Sequence, residues 1–309
     1  MRLGVQAELA GNFPLAERSL LSAAARSNLY QARYLLAQYY FRRQNVEGFW
    51  RWSRSALEMA YGEVTALLDL DWRVQPDGVW IWRHAIPSRP EIVRQYLTFL
   101  AGKQQWEVAR TVASQIAGTA TAADRPILLD YCDRRVSAGF GSDAITVWNA
   151  LCRRGLLPYQ TLDPISGPHL TGNDFERTPY EAGFDWRQNN PSGVTCVLRN
   201  HEIRLVFSGS QQDQCMILWQ YVPVEAARQY ELKFGVRALD TAKVDGVGWS
   251  VSELAGAVLG HGAAPLDVLQ FRAAKNNIVK VALVYQRPLG SIPLEGAVAV
   301  SNLSMERMP

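Results

Sequence analysis

The chain has 309 residues, with 32 Lys and Arg against 29 Asp and Glu, a net charge of +3, and a 48% apolar share beside 20% charged residues. At roughly 150 residues per domain this is room for two, and the composition supports packed cores rather than disorder. The charge is too small, and too scattered along the sequence, to indicate a nucleic-acid surface.

Residues 1–165 carry 19 Lys and Arg against 15 Asp and Glu, and Lys103 is the one lysine among those cations; the remainder carries 13 against 14. Arginine stacks on aromatic rings and forms bidentate ion pairs, which suits helix surfaces rich in Trp and Tyr. No run approaches the ~18 apolar residues needed to span a bilayer, and no signal-peptide pattern opens the chain at Met1. Arg2–Ala10 already reads as helix interior, so the expectation is that a targeting or anchoring segment lies upstream of this sequence.

Gly4, Ala7, Gly11-Asn12, Ala16, Leu20 and Ala23 mark a helix, a turn and a second helix. A shift of 33 residues brings up Ala37, Tyr40, Gln44-Asn45, Phe49, Ser53 and Ala56. Small residues at matching points let two helices approach closely, and the polar turn reverses the chain. The spacing Gly4–Ala16–Leu20–Ala23 resembles the tetratricopeptide repeat, although Phe49 and Ser53 depart from it. Tyr61–Pro90 is less regular, with turn signals at Gln75-Pro76-Asp77-Gly78 and Ile86-Pro87, and reads as a partial helical unit. Two further helix pairs follow, Pro90–Ala101 with Trp106–Ala117, and Arg125–Ala138 with Asp143–Arg154. Asp143 is expected to cap the last helix and Gly155 to end it. The expectation is an N-terminal α-solenoid over residues 1–160, a linker at 161–169, and a second domain over 170–309.

Seven of the ten tryptophans lie in the helical part: Trp50, Trp52, Trp72, Trp80, Trp82, Trp106 and Trp148. Core packing between helices is the stronger reading, with an aromatic groove as its competitor. Trp50 and Trp52 cannot both face inward, because a two-residue step turns a helix by about 200°. Arg42, Arg43, Arg51 and Arg54 gather near them, which makes Trp50, Trp52, Arg51 and Arg54 the candidate protein-interaction patch.

The stretch Leu170–Arg187, LTGNDFERTPYEAGFDWR, separates the helical pattern from alternating runs. It is expected to form the opening strand and corner of a β-sandwich, with Phe175, Phe184 and Trp186 as core anchors. Strands are expected at 195–199, 201–207, 216–224, 230–237, 248–253, 268–271, 278–287 and 296–305. In 230–237, for example, Tyr230, Leu232, Phe234 and Val236 oppose Glu231, Lys233 and Arg237. Short strands with turn chemistry between them indicate an antiparallel sandwich of jelly-roll topology. The glycines of Gly256–Gly262 lack the Lys-Ser/Thr of a phosphate loop and read as a flexible hairpin connection.

The order Asn173-Asp174-Phe175-Glu176, Gly183-Phe184-Asp185-Trp186, Leu218–Val224, then Arg228-Gln229-Tyr230-Glu231-Leu232 resembles galactose-binding-like jelly rolls, including carbohydrate-binding modules. The resemblance implies a glycan ligand and, in many members, a structural Ca²⁺ held by the opening Glu and a late acidic residue. Glu176 matches the first of these, while the last strand reads Val300-Ser301-Asn302-Leu303 without an Asp, so no metal is assigned. Helical repeats joined to such a jelly roll also resemble bacterial envelope-associated proteins, which implies a periplasmic or envelope setting, with the cytoplasm as the alternative.

No constellation commits to catalysis. Asp174, Glu176, Glu181 and Asp185 read as turn and cap residues rather than the carboxylate pair of a glycosidase. His84, His169, His201 and His261 show no metal spacing, and Cys132, Cys152, Cys196 and Cys215 show no CxxC. The cysteines read as small buried hydrophobes, with a Cys196–Cys215 disulfide as the alternative in an oxidising compartment. No cofactor is expected. Trp249, between Gly246 and Gly248, with Arg237 and Arg287 on polar strand faces, forms the candidate ligand set; Trp186 and Trp219 read as core. The expected function is a non-catalytic scaffold whose helices hold a protein and whose sandwich holds a carbohydrate. A pure assembly factor without a sugar site is the alternative, and an unrecognised hydrolase a weaker one.

Overall fold

The computed structural model describes residues 1–240, 244–274 and 277–309. Among them are ten α-helices: α1 (Arg2–Leu9), α2 (Phe13–Arg26), α3 (Tyr30–Arg42), α4 (Val46–Met59), α5 (Thr65–Val74), α6 (Gly78–His84), α7 (Pro90–Gly102), α8 (Trp106–Thr119), α9 (Arg125–Ser137) and α10 (Gly141–Arg153). Ten strands follow: β1 (Arg187–Gln188), β2 (Val194–Arg199), β3 (Glu202–Ser208), β4 (Gln214–Pro223), β5 (Gln229–Ala238), β6 (Val247–Glu253), β7 (Val258–Ala263), β8 (Val268–Arg272), β9 (Ile278–Gln286) and β10 (Glu295–Arg307). The chain divides into two compact units, residues 1–119 and 120–309.

In the first unit the hairpins α1/α2, α3/α4 and α7/α8 share one turn chemistry. The first helix of each ends in a residue with positive φ: Gly11 at 74°, Gln44 at 56° and Gln104 at 57°. The next N–H returns to a carbonyl five residues back: Asn12 to Ala7, Asn45 to Tyr40 and Gln105 to Leu100, at 2.8, 3.0 and 2.9 Å. These bonds satisfy carbonyls that the helix end leaves open. Asn12 and Asn45 then cap the following helices by accepting from Leu15 N and Gly48 N. Gly11 and Gln44 stand 33 residues apart, as the sequence period requires.

The second hairpin departs from the first by exchanging sizes. Gly4 and Ala16 sit against Leu20 in the first pair, where a methyl on Gly4 would meet the Leu20 side chain at 2.7 Å. In the second pair Phe49 fills the position of Ala16, and the small residue has moved to Gly48, where a methyl would lie 2.6 Å from the Tyr40 ring. Ser53, at the position of Leu20, is fully buried and bonds to Asp71 of α5. The irregular Tyr61–Pro90 stretch holds α5 and α6, and the turn between them ends at Asp77, whose carboxylate accepts from Val79 N and Trp80 N.

The second unit contains α9, α10 and the sandwich. Its sheets are antiparallel and five-stranded, in the orders β1-β4-β9-β6-β7 and β2-β3-β10-β5-β8. From β3 to β6 successive strands alternate between the two sheets, as they do from β7 to β10, which is the winding of a jelly roll. Between the sheets lie Trp186, Trp249, Phe207, Tyr230, Tyr285 and the inward rows of every long strand. The α9–α10 pair is closed by Gly139 and Phe140, and α10 ends in the Gly155 turn foreseen for it, with Leu156 N bonded to Leu151 O at 3.0 Å.

The Leu170–Arg187 stretch forms a corner, but almost none of it is strand. Only Arg187, at its end, belongs to β1. Phe175, Phe184 and Trp186 are buried as expected. The Trp186 indole N–H donates to Gly172 O, Asn173 donates to Leu303 O, and Thr171 and Gln220 exchange two hydrogen bonds of 3.2 Å. Gly183 at φ +61° packs so tightly on Trp148 of α10 that a methyl there would lie 2.6 Å from the ring. Asp133 of α9 accepts from Gly183 N at 2.9 Å and from the Arg187 guanidinium, which ties the helix pair to the sandwich.

Two further expectations change. Gly256–Gly262 is not a loose hairpin connection: residues 258–262 belong to β7, where Gly262 pairs with Trp249 and Gly260 with Val251. The glycines are there for close approach, since a methyl on Gly260 would lie 2.9 Å from Leu269 and one on Gly248 would collide with the Gly262 carbonyl. Asp143 does not cap α10; it lies inside the first turn and pairs with the buried Arg135 of α9, which needs a counter-ion more than the helix end needs a cap. Residues 161–169 are anchored, with Asn149 exchanging 2.8 Å bonds with both backbone groups of the buried Leu162.

Candidate functional site

The register of the first sheet places a set of side chains on its outer face. Strand β9 lies in the middle of this sheet, and alternate residues Lys280, Ala282, Val284 and Gln286 share one face because successive side chains of a strand point to opposite sides. Their partners on β4 are Tyr221, Trp219, Met216 and Gln214, and on β6 Lys280, Ala282 and Val284 face Ser252, Ser250 and Gly248. On β7, His261 lies beside Ser250, and on β1, Arg187 lies beside Trp219. The inward set, Leu218, Val222, Val279, Val281 and Leu283, is the core.

A shallow groove of about 320 Å³ runs over this face, with Met216 and Val284 as apolar floor and Gln214, Gln286, Ser250 and His261 around it. It opens at the Gln214–Gln286 end into a cleft of about 850 Å³ reaching Asp213, Asp245 and Arg287. An apolar floor with a few convergent hydrogen-bonding groups is the usual composition of a small-ligand site. Beyond the groove lining, farther along the same sheet face, Trp219 and Tyr221 meet edge-to-face with centroids 5.0 Å apart. The Arg187 guanidinium lies 4.6 Å from the Trp219 ring centre and the Lys280 ammonium 4.3 Å. Desolvation, then the neighbouring Arg187, push the Lys280 pKa below the usual lysine range.

The candidate ligand residues named from sequence do not converge. Trp249 is 0% exposed, with its ring 5.7 Å from Trp186 and 6.5 Å from Phe234 between the sheets, so it has no face to offer a ligand. The flanking glycines that suggested ligand approach serve the contact with β7 instead. Arg237 lies on the outer face of the other sheet, where it and Arg204 grip the two oxygens of the buried Glu202 at 2.6 Å each. Arg287 does line the cleft, held by Asp213 at 2.8 Å. Trp186 is core, as expected, but Trp219 is half-buried on the groove face. Its strand position gave the signal: Trp219 alternates with the buried Leu218 and Gln220.

The helical patch is divided within its own unit. Trp52 packs on the core of α1–α3, with Arg51 over its ring at 5.7 Å. Trp50 turns to α6, where its ring lies 4.4 Å from Trp80, which stacks on His84 at 4.0 Å. Arg54 reaches the same side and donates to His84 O. Trp50 and Arg54 thus join one aromatic edge, and Trp52 and Arg51 another. Of the seven tryptophans in the helical part, Trp148 alone is fully buried and the others are half-buried, which is less core than the sequence reading assigned them.

The remaining chemical candidates have structural partners. Asp185, 1% exposed, accepts from Tyr159 Oη, Tyr180 N and Trp186 N, and burial raises its pKa. Glu176 lies 3.0 Å from His201 at the surface, and no group of three metal-capable side chains occurs among the described residues. His169 is buried with Nδ1–H donating to Pro223 O, and burial lowers its pKa. All four cysteines are free, Cys196 and Cys215 standing on strands of opposite sheets; burial pushes Cys196 to about 11 and Cys152 to about 12, which suppresses the thiolate. No helix among the described residues is long and apolar enough to cross a membrane.

No family model matches the sequence, and no curated protein matches it. Among solved structures, the chain is similar to the crystal structure of accessory secretory protein 1, 2 and 3 in Streptococcus pneumoniae, at a TM-score of 0.30 and 11% identity over 40% of this chain and 92% of that one. A likeness at that level carries no functional argument.

Proposed function

We propose that the protein is a non-catalytic binding scaffold whose sandwich holds a carbohydrate across the outer face of its first sheet. The observation that carries this reading is the groove itself: a floor of Met216 and Val284 edged by the two amides Gln214 and Gln286, the Ser250 hydroxyl and the His261 imidazole. Sugars offer an apolar C–H face and a rim of hydroxyls that both donate and accept. Amide, hydroxyl and imidazole groups meet that rim, and the methylene and methyl groups of the floor meet the C–H face. The galactose-binding-like resemblance of the sandwich supports the same ligand class. The carboxylates at the corner are engaged in turn and core contacts, which supports binding rather than hydrolysis.

The helical unit takes a protein partner in this proposal, with Trp50, Trp80, His84 and Arg54 as the contact edge. The setting is the bacterial envelope or periplasm, where a polysaccharide and its assembly proteins are found together. The test is a glycan array probed with the intact chain and with Gln286→Ala and His261→Ala. Binding to a defined set of polysaccharides, weakened in both variants, supports the proposal. An array without binders favours the alternative of a protein assembly factor with no sugar site.

A further inference from the structure

Lys280 occupies an unusual place for a lysine. It sits on the central strand of the sheet, half-buried, with its ammonium 4.3 Å from the Trp219 ring centre. Arg187 approaches the same ring at 4.6 Å, so two cations share one aromatic side chain. Arg187 has its counter-ion in Asp133. Among the described residues no carboxylate is paired with Lys280, and its charged form is disfavoured by desolvation and by Arg187. One positive charge on this face is therefore left without its complement. The register supplies two hydroxyl groups beside it, Tyr221 on β4 and Ser252 on β6. A desolvated cation next to hydroxyl donors is a seat for an anion, because the incoming charge relieves the repulsion between Lys280 and Arg187 and restores what burial removed.

The position of this seat gives it meaning. Lys280 lies outside the groove lining but shares its strand face with Val284 and Gln286, and six residue steps along β9 separate it from Gln286, about 20 Å at 3.4 Å per residue. That is the length of a short oligosaccharide, with the neutral hydrogen-bonding groups at one end and the unmatched cation at the other. We propose that this sheet face selects acidic oligosaccharides that run from the groove to Lys280, which pairs with the carboxylate of a uronic acid residue. This rests on the carbohydrate reading of the groove and adds the charge of its ligand.

The test uses the intact chain and uronic-acid-containing oligosaccharides, each paired with its carboxyl-reduced neutral counterpart. The expected result is binding of the acidic member about tenfold tighter at low ionic strength. The preference, read as the ratio of the two affinities, falls to about one in Lys280→Met and is retained in Lys280→Arg. Equal affinity for both members, or a preference that survives Lys280→Met, overturns the acidic assignment and leaves the carbohydrate reading standing. Failure of every acidic and neutral oligosaccharide to bind overturns both.

Discussion

The Ser53 hydroxyl donates a 2.6 Å hydrogen bond to the carboxyl of Asp71, and both side chains are fully buried between α4 and α5. The second carboxyl oxygen, Oδ2, has no hydrogen-bond partner among the described residues. Burial pushes the Asp71 pKa up to about 8, with the Ser53 bond opposing the shift. Folded protein therefore holds a proton that the unfolded chain, with an ordinary carboxylate, releases near pH 4. Stability is greatest below that pH as far as this group is concerned, and it falls as pH rises toward 8, by about 1.4 kcal/mol per unit. Asp71→Asn, which keeps the Ser53 bond and cannot ionise, removes this slope. Urea titrations at several pH values check it: the variant is expected to match the parent at pH 4.5 and exceed it increasingly up to pH 8.

Trp249 belongs to the core, so its truncation tests stability rather than binding. Trp249→Ala is expected to cost about 3–5 kcal/mol, since the indole fills the space between Trp186 and Phe234. Denaturant unfolding measures this, and a loss below about 1 kcal/mol would contradict the packing described.

Gly248 pairs with Ala263 across the β6–β7 ladder, and a methyl on it would collide with the Gly262 carbonyl oxygen. Gly248→Ala is expected to destabilise the sandwich by about 1–3 kcal/mol through overpacking, whereas Gly256→Ala, in open space, costs about 1 kcal/mol or less, from its φ of +96° alone. The ranking of the two melting temperatures decides the point.

Arg135 is 1% exposed and is paired with Asp143, with its guanidinium carbon 4.0 Å over the Phe140 ring. Removing the acid takes one ion-pair partner from a buried cation. Asp143→Ala is expected to cost about 3–5 kcal/mol, and the double variant with Arg135→Met to recover part of that loss. A double-mutant cycle on chemical unfolding reads the coupling.

The division into a helical part and an antiparallel sandwich was legible because both periods are strong: the 33-residue recurrence of Gly11-Asn12 in Gln44-Asn45, and the alternation of Tyr230, Leu232 and Phe234. The α9–α10 pair reads as one more helical repeat, and the packing of Gly183 on Trp148, the Asp133–Arg187 pair and the close approach of Gly141 to Ile278 join it to the sandwich, contacts 35 to 137 residues apart that no local pattern records. Strand β7 was hidden because its glycines, chosen for proximity to β6 and β8, carry no alternation. The candidate face was missed for a related reason. Outward residues of five strands make it, and Met216, Ser250, His261 and Gln286 become neighbours only once the register is known. Trp249 drew attention by its flanking glycines, whose cause turned out to be strand packing.

The central claim is that a carbohydrate lies on the outer face of the first sheet. Ser250 on that face and Ser301 on the outer face of the other sheet are both small, half-buried and placed among strand neighbours. Calorimetric titration of an array-selected oligosaccharide into Ser250→Trp and Ser301→Trp separates the two faces. Loss of binding in Ser250→Trp with parental affinity in Ser301→Trp is the predicted result. Parental affinity in Ser250→Trp would contradict the account.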